Sequence, residues 1–314
     1  MSSAQIQTVR GPIPAGELGV CLPHEHLLLN LEWIDARFSL DGILDDEELV
    51  LEEIKALPAA GGRSIIDPTS IGLRPDPLGV RRLSEASGVH VVMGCGWYRQ
   101  PYYPAEALID RTATEALAQR LLDEIQHGLC GTDVQPGIIG EIGSNKEFVS
   151  AQEERVFRAA ARAAVRSGLA VTTHSAASPV GLEHLALLRS EGMDASRVAI
   201  GHADSYPFVS YHRALLEQGA YVEFDNLGYG LPGVAALENR LVPVIVQLIR
   251  DGWARRILLS QDICHRSHFK SYGGNGYDYV LTQFLPILHA AGVDDESLHM
   301  ITVDNPRRLL TGVP

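Results

Sequence analysis

Eight short runs rich in Val, Ile and Thr alternate with eight longer amphipathic stretches along the 314 residues of the chain. The short runs, at 19–25, 64–69, 90–96, 137–142, 170–175, 198–203, 221–226 and 257–262, read as strands. The stretches between them, at 45–60, 76–88, 104–127, 151–168, 179–192, 206–219, 237–254 and 276–291, read as helices. Gly88, Gly128, Gly168, Gly192, Gly219 and Gly292 fall where a helix is expected to end in a left-handed cap. Composition does not break anywhere along the series, and α/β barrels routinely run this long as a single domain. The pattern therefore predicts one α/β domain over residues 1–314, a (β/α)8 TIM barrel. An open doubly wound sheet is the alternative. It gathers its ligand site at one switch point, whereas here polar residues end seven of the eight runs. The long connections are 27–44 and 263–276, the second with the glycines and aromatics of a rim loop.

The strand tips carry the chemistry. His24 and His26 stand in VCLPHEH, Glu141 in GIIGEIG, His174 in AVTTHS, His202 in VAIGHAD and Asp262 in ILLSQD. In extended chain, residues i and i+2 share a face, so His24 and His26 point one way and Glu25 the other. A strand-end histidine taken singly, such as His174 or His202, is ordinarily a satisfied polar residue. Six such side chains on one barrel rim are better read as a ligand set. Glu141 sits in an apolar run, where a bare carboxylate is costly and must pair, protonate or bind metal; a salt bridge to Arg99 is the alternative partner. Asp262 could cap a following helix, or ligate a metal and accept a proton during attack.

Charge counting favours two divalent cations, because Glu141, Asp262 and one hydroxide cancel three of their four charges. The remaining positive charge can stabilise an oxyanion. Four imidazoles and two carboxylates suit zinc first, then Mn, Co or Fe, rather than Mg or Ca. Asp204, Asp67 and Asp225 are candidates to orient the ligand histidines, Asp204 foremost because it lies two residues past His202. Trp97 and Tyr98 could wall a substrate pocket, although packing in the core is an equal reading for them. Arg266 and Tyr272 of the rim loop could contact substrate. Arg74, Arg99, Arg266 and Lys270, all in rim loops, hint at an anionic group on it.

A net charge of -13 without a run of Lys or Arg excludes a nucleic-acid surface. The longest apolar stretch is too short to span a bilayer, and the N-terminus has no signal-peptide pattern. Cys21, Cys95, Cys130 and Cys264 are scattered without pairing motifs, as expected in a reducing compartment. A cytoplasmic location with a small-molecule substrate, and neither nucleic acid nor membrane as partner, is the expectation.

HEH on the first strand, TTHSAAS, RVAIGHAD and the closing ITVDNPRRLL together resemble the phosphotriesterase family of the amidohydrolase superfamily, over nearly the whole chain. The resemblance implies a distorted (β/α)8 barrel, a binuclear metal site at His24, His26, Glu141, His174, His202 and Asp262, and possible homodimers. Two departures qualify it. The best-known members carry a carbamylated lysine where this chain has Glu141, and Lys146 lies beyond the strand tip. A glutamate bridge is similar to the phosphotriesterase homology subgroup. The organophosphate hydrolases also carry an Asp-His pair after the seventh strand, here Asp225-Asn226, and an amide cannot carry a proton at neutral pH. The expected function is metal-dependent hydrolysis of a small carboxylic ester, lactone or amide. Phosphotriesterase or phosphodiesterase activity is the alternative, and a metal-containing binding protein without turnover is the third reading.

Overall fold

The computed structural model describes residues 4–31, 40–145, 147–229 and 238–313. Residues 32–39 of the first long connection, residue 237 of the seventh helical stretch and Lys146 lie outside them. Eight parallel strands form one sheet: β1 (Cys21–Leu22), β2 (Ser64–Asp67), β3 (His90–Cys95), β4 (Ile138–Gly143), β5 (Val171–His174), β6 (Val198–Gly201), β7 (Tyr221–Phe224) and β8 (Ile257–Leu259). Each strand pairs with the next in sequence and the order never reverses, which excludes the doubly wound alternative.

The helices are α1 (Glu47–Ile54), α2 (Pro77–Ser87), α3 (Thr114–His127), α4 (Ala151–Ser167), α5 (Gly181–Ser190), α6 (Val209–Leu216), α7 (Glu238–Arg250) and α8 (Leu285–Ala290). Three of the starts, those of α1, α2 and α4, are capped by side chains. The Asp76 side chain accepts from Gly79 N ahead of Pro77 at the start of α2, and Ser150 and Glu153 form a reciprocal capping box at α4. The stretch 104–127 is shorter as a helix than expected, because Leu108 takes a left-handed backbone (φ 51) after one 3-10 turn. Among the described residues no helix is long and apolar enough to cross a membrane.

Alternation along the strands separates two cores. Outward residues such as Ile65, Val91, Ile139, Val171, Val222 and Leu259 pack against the helices. Inward residues, one from each strand or its edge, form an apolar floor: Cys21, Ile66, Val92, Ile138, Ala170, Ala199, Tyr221 and Leu258. Two elements not anticipated from the sequence close that floor from below. One is the antiparallel pair Gln5–Thr8 with Gly11–Pro14, which contributes Ile6; the other is the helix Asn305–Thr311, which contributes Leu309 and Leu310. Above the floor the strands approach closely. A Cβ on Gly94 would stand 2.0 Å from the Gly140 carbonyl oxygen, and one on Gly140 would stand 2.2 Å from that of Thr172.

The barrel is distorted at the seam between β1 and β8, where the ladder gives way to other contacts. Asp262 N donates to the His24 carbonyl at 3.0 Å, and His26 N to that of Ile263 at 3.1 Å. Glu25, turned away from the two histidines as alternation requires, completes the closure. Its buried carboxylate accepts from Ser260 Oγ at 2.7 Å, Gln261 N at 2.7 Å and Ile263 N at 2.9 Å. Replacing Glu25 with Ala is expected to cost about 3–5 kcal/mol in a urea titration, since it strands buried donors. An unchanged midpoint would mean that Glu25 does not close the barrel.

Candidate metal centre

All six expected ligands meet at the mouth of the barrel, above its apolar floor, and all are at least nine-tenths buried. His24 and His26 follow β1. Glu141 lies in a register shift between Ile139 and Ile142 of β4, the kind of irregularity that re-aims one side chain into a barrel's mouth. Its backbone is held there by Glu141 N donating to the Pro68 carbonyl at 2.7 Å and by Ser70 Oγ donating to the Glu141 carbonyl at 2.8 Å. His174 ends β5. His202 and Asp262 stand just past β6 and β8 in left-handed backbone (φ 54 and 48), a conformation that costs non-glycine residues about 1–2 kcal/mol and clusters at functional sites.

Glu141 is the hub. Its Oε1 lies 3.4 Å from His26 Nε2; its Oε2 lies 3.6 Å from His24 Nε2, 3.0 Å from His174 Nδ1 and 3.5 Å from His202 Nε2. Asp262 Oδ1 faces His26 Nε2 at 3.2 Å and His24 Nε2 at 3.7 Å. Three sets of potential ligand atoms form, His24–His26–Glu141, Glu141–His174–His202 and His24–His202–Asp225, each with its atoms within 4.8 Å of one another. Glu141 is common to the first two.

The electrostatics fit a bound cation. Burial alone would raise the Glu141 carboxyl, but His174, then His202 and His24, hold it well below the usual range. Burial pulls the His24 and His202 imidazoles down, yet Asp225 and Glu141 bring both well above their ordinary value. His174 goes the other way, pushed to about 4 by burial and then by the charge of His202. Two further details agree: His24 Nε2 is buried without a hydrogen-bond partner, and His202 Nε2 and His174 Nδ1 face each other at 2.7 Å. These donors are those of a borderline transition metal.

A ring of residues orients the ligands, and its membership differs from expectation. Asp225, just past β7, reaches the Nδ1 of both His24 (3.1 Å) and His202 (2.9 Å), leaving each Nε2 free for the centre. Asp204, expected to lead, touches no ligand histidine. The left-handed turn at His202 carries it toward β7, where it accepts from Asn226 N at 2.8 Å and from the Asn226 amide. Asp67 acts at one remove: it accepts from Thr69 Oγ1, which lies 2.7 Å from His26 Nδ1. Asp225→Asn is expected to lower metal affinity by about 10–100-fold, as read by chelator competition; unchanged affinity would exclude the orienting role.

The expected substrate contacts divide. Tyr98 lies at the site, its hydroxyl 3.2 Å from His174 Nδ1. Trp97 is buried in the outer core, its packing reading. Arg266 is engaged by the Ile43 carbonyl (2.7 Å) and the Asp45 carboxylate (2.9 Å), and Tyr272 is 55% exposed; neither contacts the six ligands. Arg99 stacks on Tyr98 and Tyr102, 4.9 Å from each ring centroid, instead of forming an ion pair with Glu141. Tyr229 was not foreseen: its hydroxyl lies 2.7 Å from Asp262 Oδ2, the oxygen turned away from the histidines. It sits four residues past Asp225 in a loop, where no spacing rule points to it. Glu223, 3.4 Å from His24 Nδ1, was not foreseen either; its i, i−2 relation to Asp225 is the signal that points to it.

A TIM barrel that gathers four histidines and two carboxylates at its mouth is a metal-dependent hydrolase. Comparison with known proteins makes the assignment specific: residues 4–310 match the phosphotriesterase family model, and the chain belongs to that family. It is 35% identical over 289 residues to the phosphotriesterase homology protein of Escherichia coli (strain K12), covering 92% of this chain and 96% of that one. It is 29% identical to the N-acetyltaurine hydrolase of Homo sapiens, with 98% of each covered. Among solved structures it resembles a resiniferatoxin-binding protein from Rhodobacter sphaeroides (TM-score 0.90, 33% identity, 98% of this chain and 95% of that one) and a lactonase from Listeria monocytogenes (TM-score 0.89, 26% identity, 99% and 100%).

Proposed function

We propose that the protein is a binuclear metal-dependent hydrolase of a small carboxylic ester, lactone or amide. The observation that carries this reading is the position of Glu141 between His24–His26 and His174–His202, one carboxylate facing four imidazole nitrogens. Two divalent cations, zinc first, would supply an ionised water at neutral pH and polarise the scissile carbonyl.

The chain's own residues do the rest. Asp225 holds the His24 and His202 rings by their Nδ1 atoms, and Thr69 with Asp67 holds His26. Asp262 accepts the proton released on attack and returns it to the departing alkoxide or amine. Tyr98, beside His174, walls the place where an acyl group would lie. An alkoxide or amine needs that returned proton, whereas an activated aryl phosphate hardly does. With Asn226 where a proton-shuttling histidine would stand, phosphotriester turnover is left as a side activity. The named activities of the human relative, an amide hydrolase, and of the Listeria lactonase support a carbonyl substrate. Binding without turnover, which the name of the Rhodobacter neighbour keeps in view, is disfavoured by the intact Asp262.

The test is a panel of lactones, N-acyl amides, carboxylic esters and phosphotriesters on protein purified with its metals counted. Turnover of a carbonyl substrate well above any phosphotriester rate is expected. Two bound metals with no turnover of any carbonyl substrate would refute the reading.

A further inference from the structure

At the opposite end of the barrel from the metal centre, a cavity of about 300 Å³ opens between Tyr221, Ser196, Arg255, Arg256, Arg308 and the chain at Gly312–Val313. Tyr221 begins β7, and Asp225 lies past the other end of that strand. At the rise of extended chain the two are roughly 13 Å apart along it, so the cavity cannot belong to the site at the mouth.

Three of its lining side chains are guanidinium groups, in a chain with 39 acidic and only 26 basic residues. Among the described residues, Arg255 and Arg256 form no ion pair. Arg308 shares Asp304, at 3.4 Å, with Arg307 at 3.0 Å and also donates to Asn305 Oδ1 at 3.4 Å, and Arg256 donates to the Ser196 carbonyl at 3.5 Å. Among the described residues some surface arginines, such as Arg82 and Arg158, have carboxylates at 2.6–2.9 Å and others have none; this group is set apart by three guanidinium groups lining one cavity. The Arg256 guanidinium lies 4.8 Å above the Tyr221 ring, which fixes its plane, and Arg308 Nε is buried without a partner. Arg197 adds positive charge close by. It is pinned by the carbonyls of Gly168 and Leu310 and crowds Gly312, where a Cβ would meet its Nη1 at 2.6 Å.

We propose that this cavity is a binding site for a small phosphate-bearing anion. Three guanidinium groups converging on one cavity, with a single shared carboxylate among them, in a protein of net charge -13 mark a place for an anion. A carboxylate offers two oxygens on one plane, whereas three guanidinium groups around a cavity present more donors in several planes. A phosphate monoester, with three charged oxygens, matches that set, and arginine takes such oxygens bidentately. A cavity of this volume also leaves room for a modest organic group.

The test is calorimetric titration of inorganic phosphate and of glycerol 2-phosphate into the metal-loaded protein at low salt. The comparison is with the double variant R255Q/R256Q, whose fold is checked by its urea midpoint and its unchanged turnover. Because phosphate can also bind at the metal centre, its inhibition of hydrolysis is measured in parallel. The expected result is a binding event weakened at least tenfold in the double variant, while turnover and its inhibition by phosphate stay unchanged. Identical titrations of wild type and variant would place all bound phosphate elsewhere and overturn the proposal. Sedimentation with phosphatidic acid vesicles in the absence of any free-phosphate binding would overturn it too, by making the ligand a lipid headgroup.

Discussion

Glu141→Gln is expected to yield a folded protein that retains at most one metal equivalent and has lost activity by at least about 10³-fold, the several kcal/mol that this kind of charge stabilisation contributes. The substitution keeps the shape of the side chain and removes its charge. That matters because Glu141 is the one carboxylate set against all four histidines, with His174 at 3.0 Å and His26 at 3.4 Å. An amide offers one weak acceptor, and its NH₂ group would point a donor at a nitrogen or a cation. Elemental analysis of the purified variant beside a hydrolysis assay reads both effects. Full metal content with full activity would exclude Glu141 as a shared ligand.

Asp262→Asn is expected to lower kcat by about 10²–10⁴-fold, the usual contribution of a positioned acid–base group. Asn keeps an oxygen for His26, which Asp262 Oδ1 faces at 3.2 Å, so metal content falls less than in the Glu141 variant. It cannot take or return a proton. The loss is therefore expected to depend on the leaving group: largest for amides and alkyl esters, smallest for activated aryl esters. Equal losses across that series would mean that Asp262 serves as a ligand and not as a proton carrier. Tyr229, whose hydroxyl lies 2.7 Å from Asp262 Oδ2, fixes the rotation of this carboxylate and contributes to its geometry.

How far the sequence could be read depended on whether a residue's role followed from a local repeat. Strand periodicity located the eight strands and put the ligands at the rim, because alternation and strand polarity are local rules; the floor residues Ile66, Val92 and Leu258 emerge only with the fold. The Glu25 closure followed the same alternation, but its partners at 260–263 lie more than 230 residues away, and nothing local names them. The exchange between Asp204 and Asp225 has a backbone cause. Spacing from His202 favours Asp204, whereas the left-handed turn at His202 redirects the chain and leaves the Nδ1 atom to Asp225 on the neighbouring strand. Arg266 and Tyr272 were read from loop composition, which says which residues are near a rim but not which way they face. The N-terminal hairpin was missed because its four-residue strands, GPIP among them, carry two prolines and little periodicity.

Whether one glutamate joins two metal positions is read from anomalous diffraction by crystals of protein purified without chelators. Two peaks are expected, one among His24, His26 and Asp262 and the other between His174 and His202, each within ligating distance of a Glu141 oxygen. Peaks that leave Glu141 uncoordinated, or no metal at the barrel mouth at all, would contradict that arrangement.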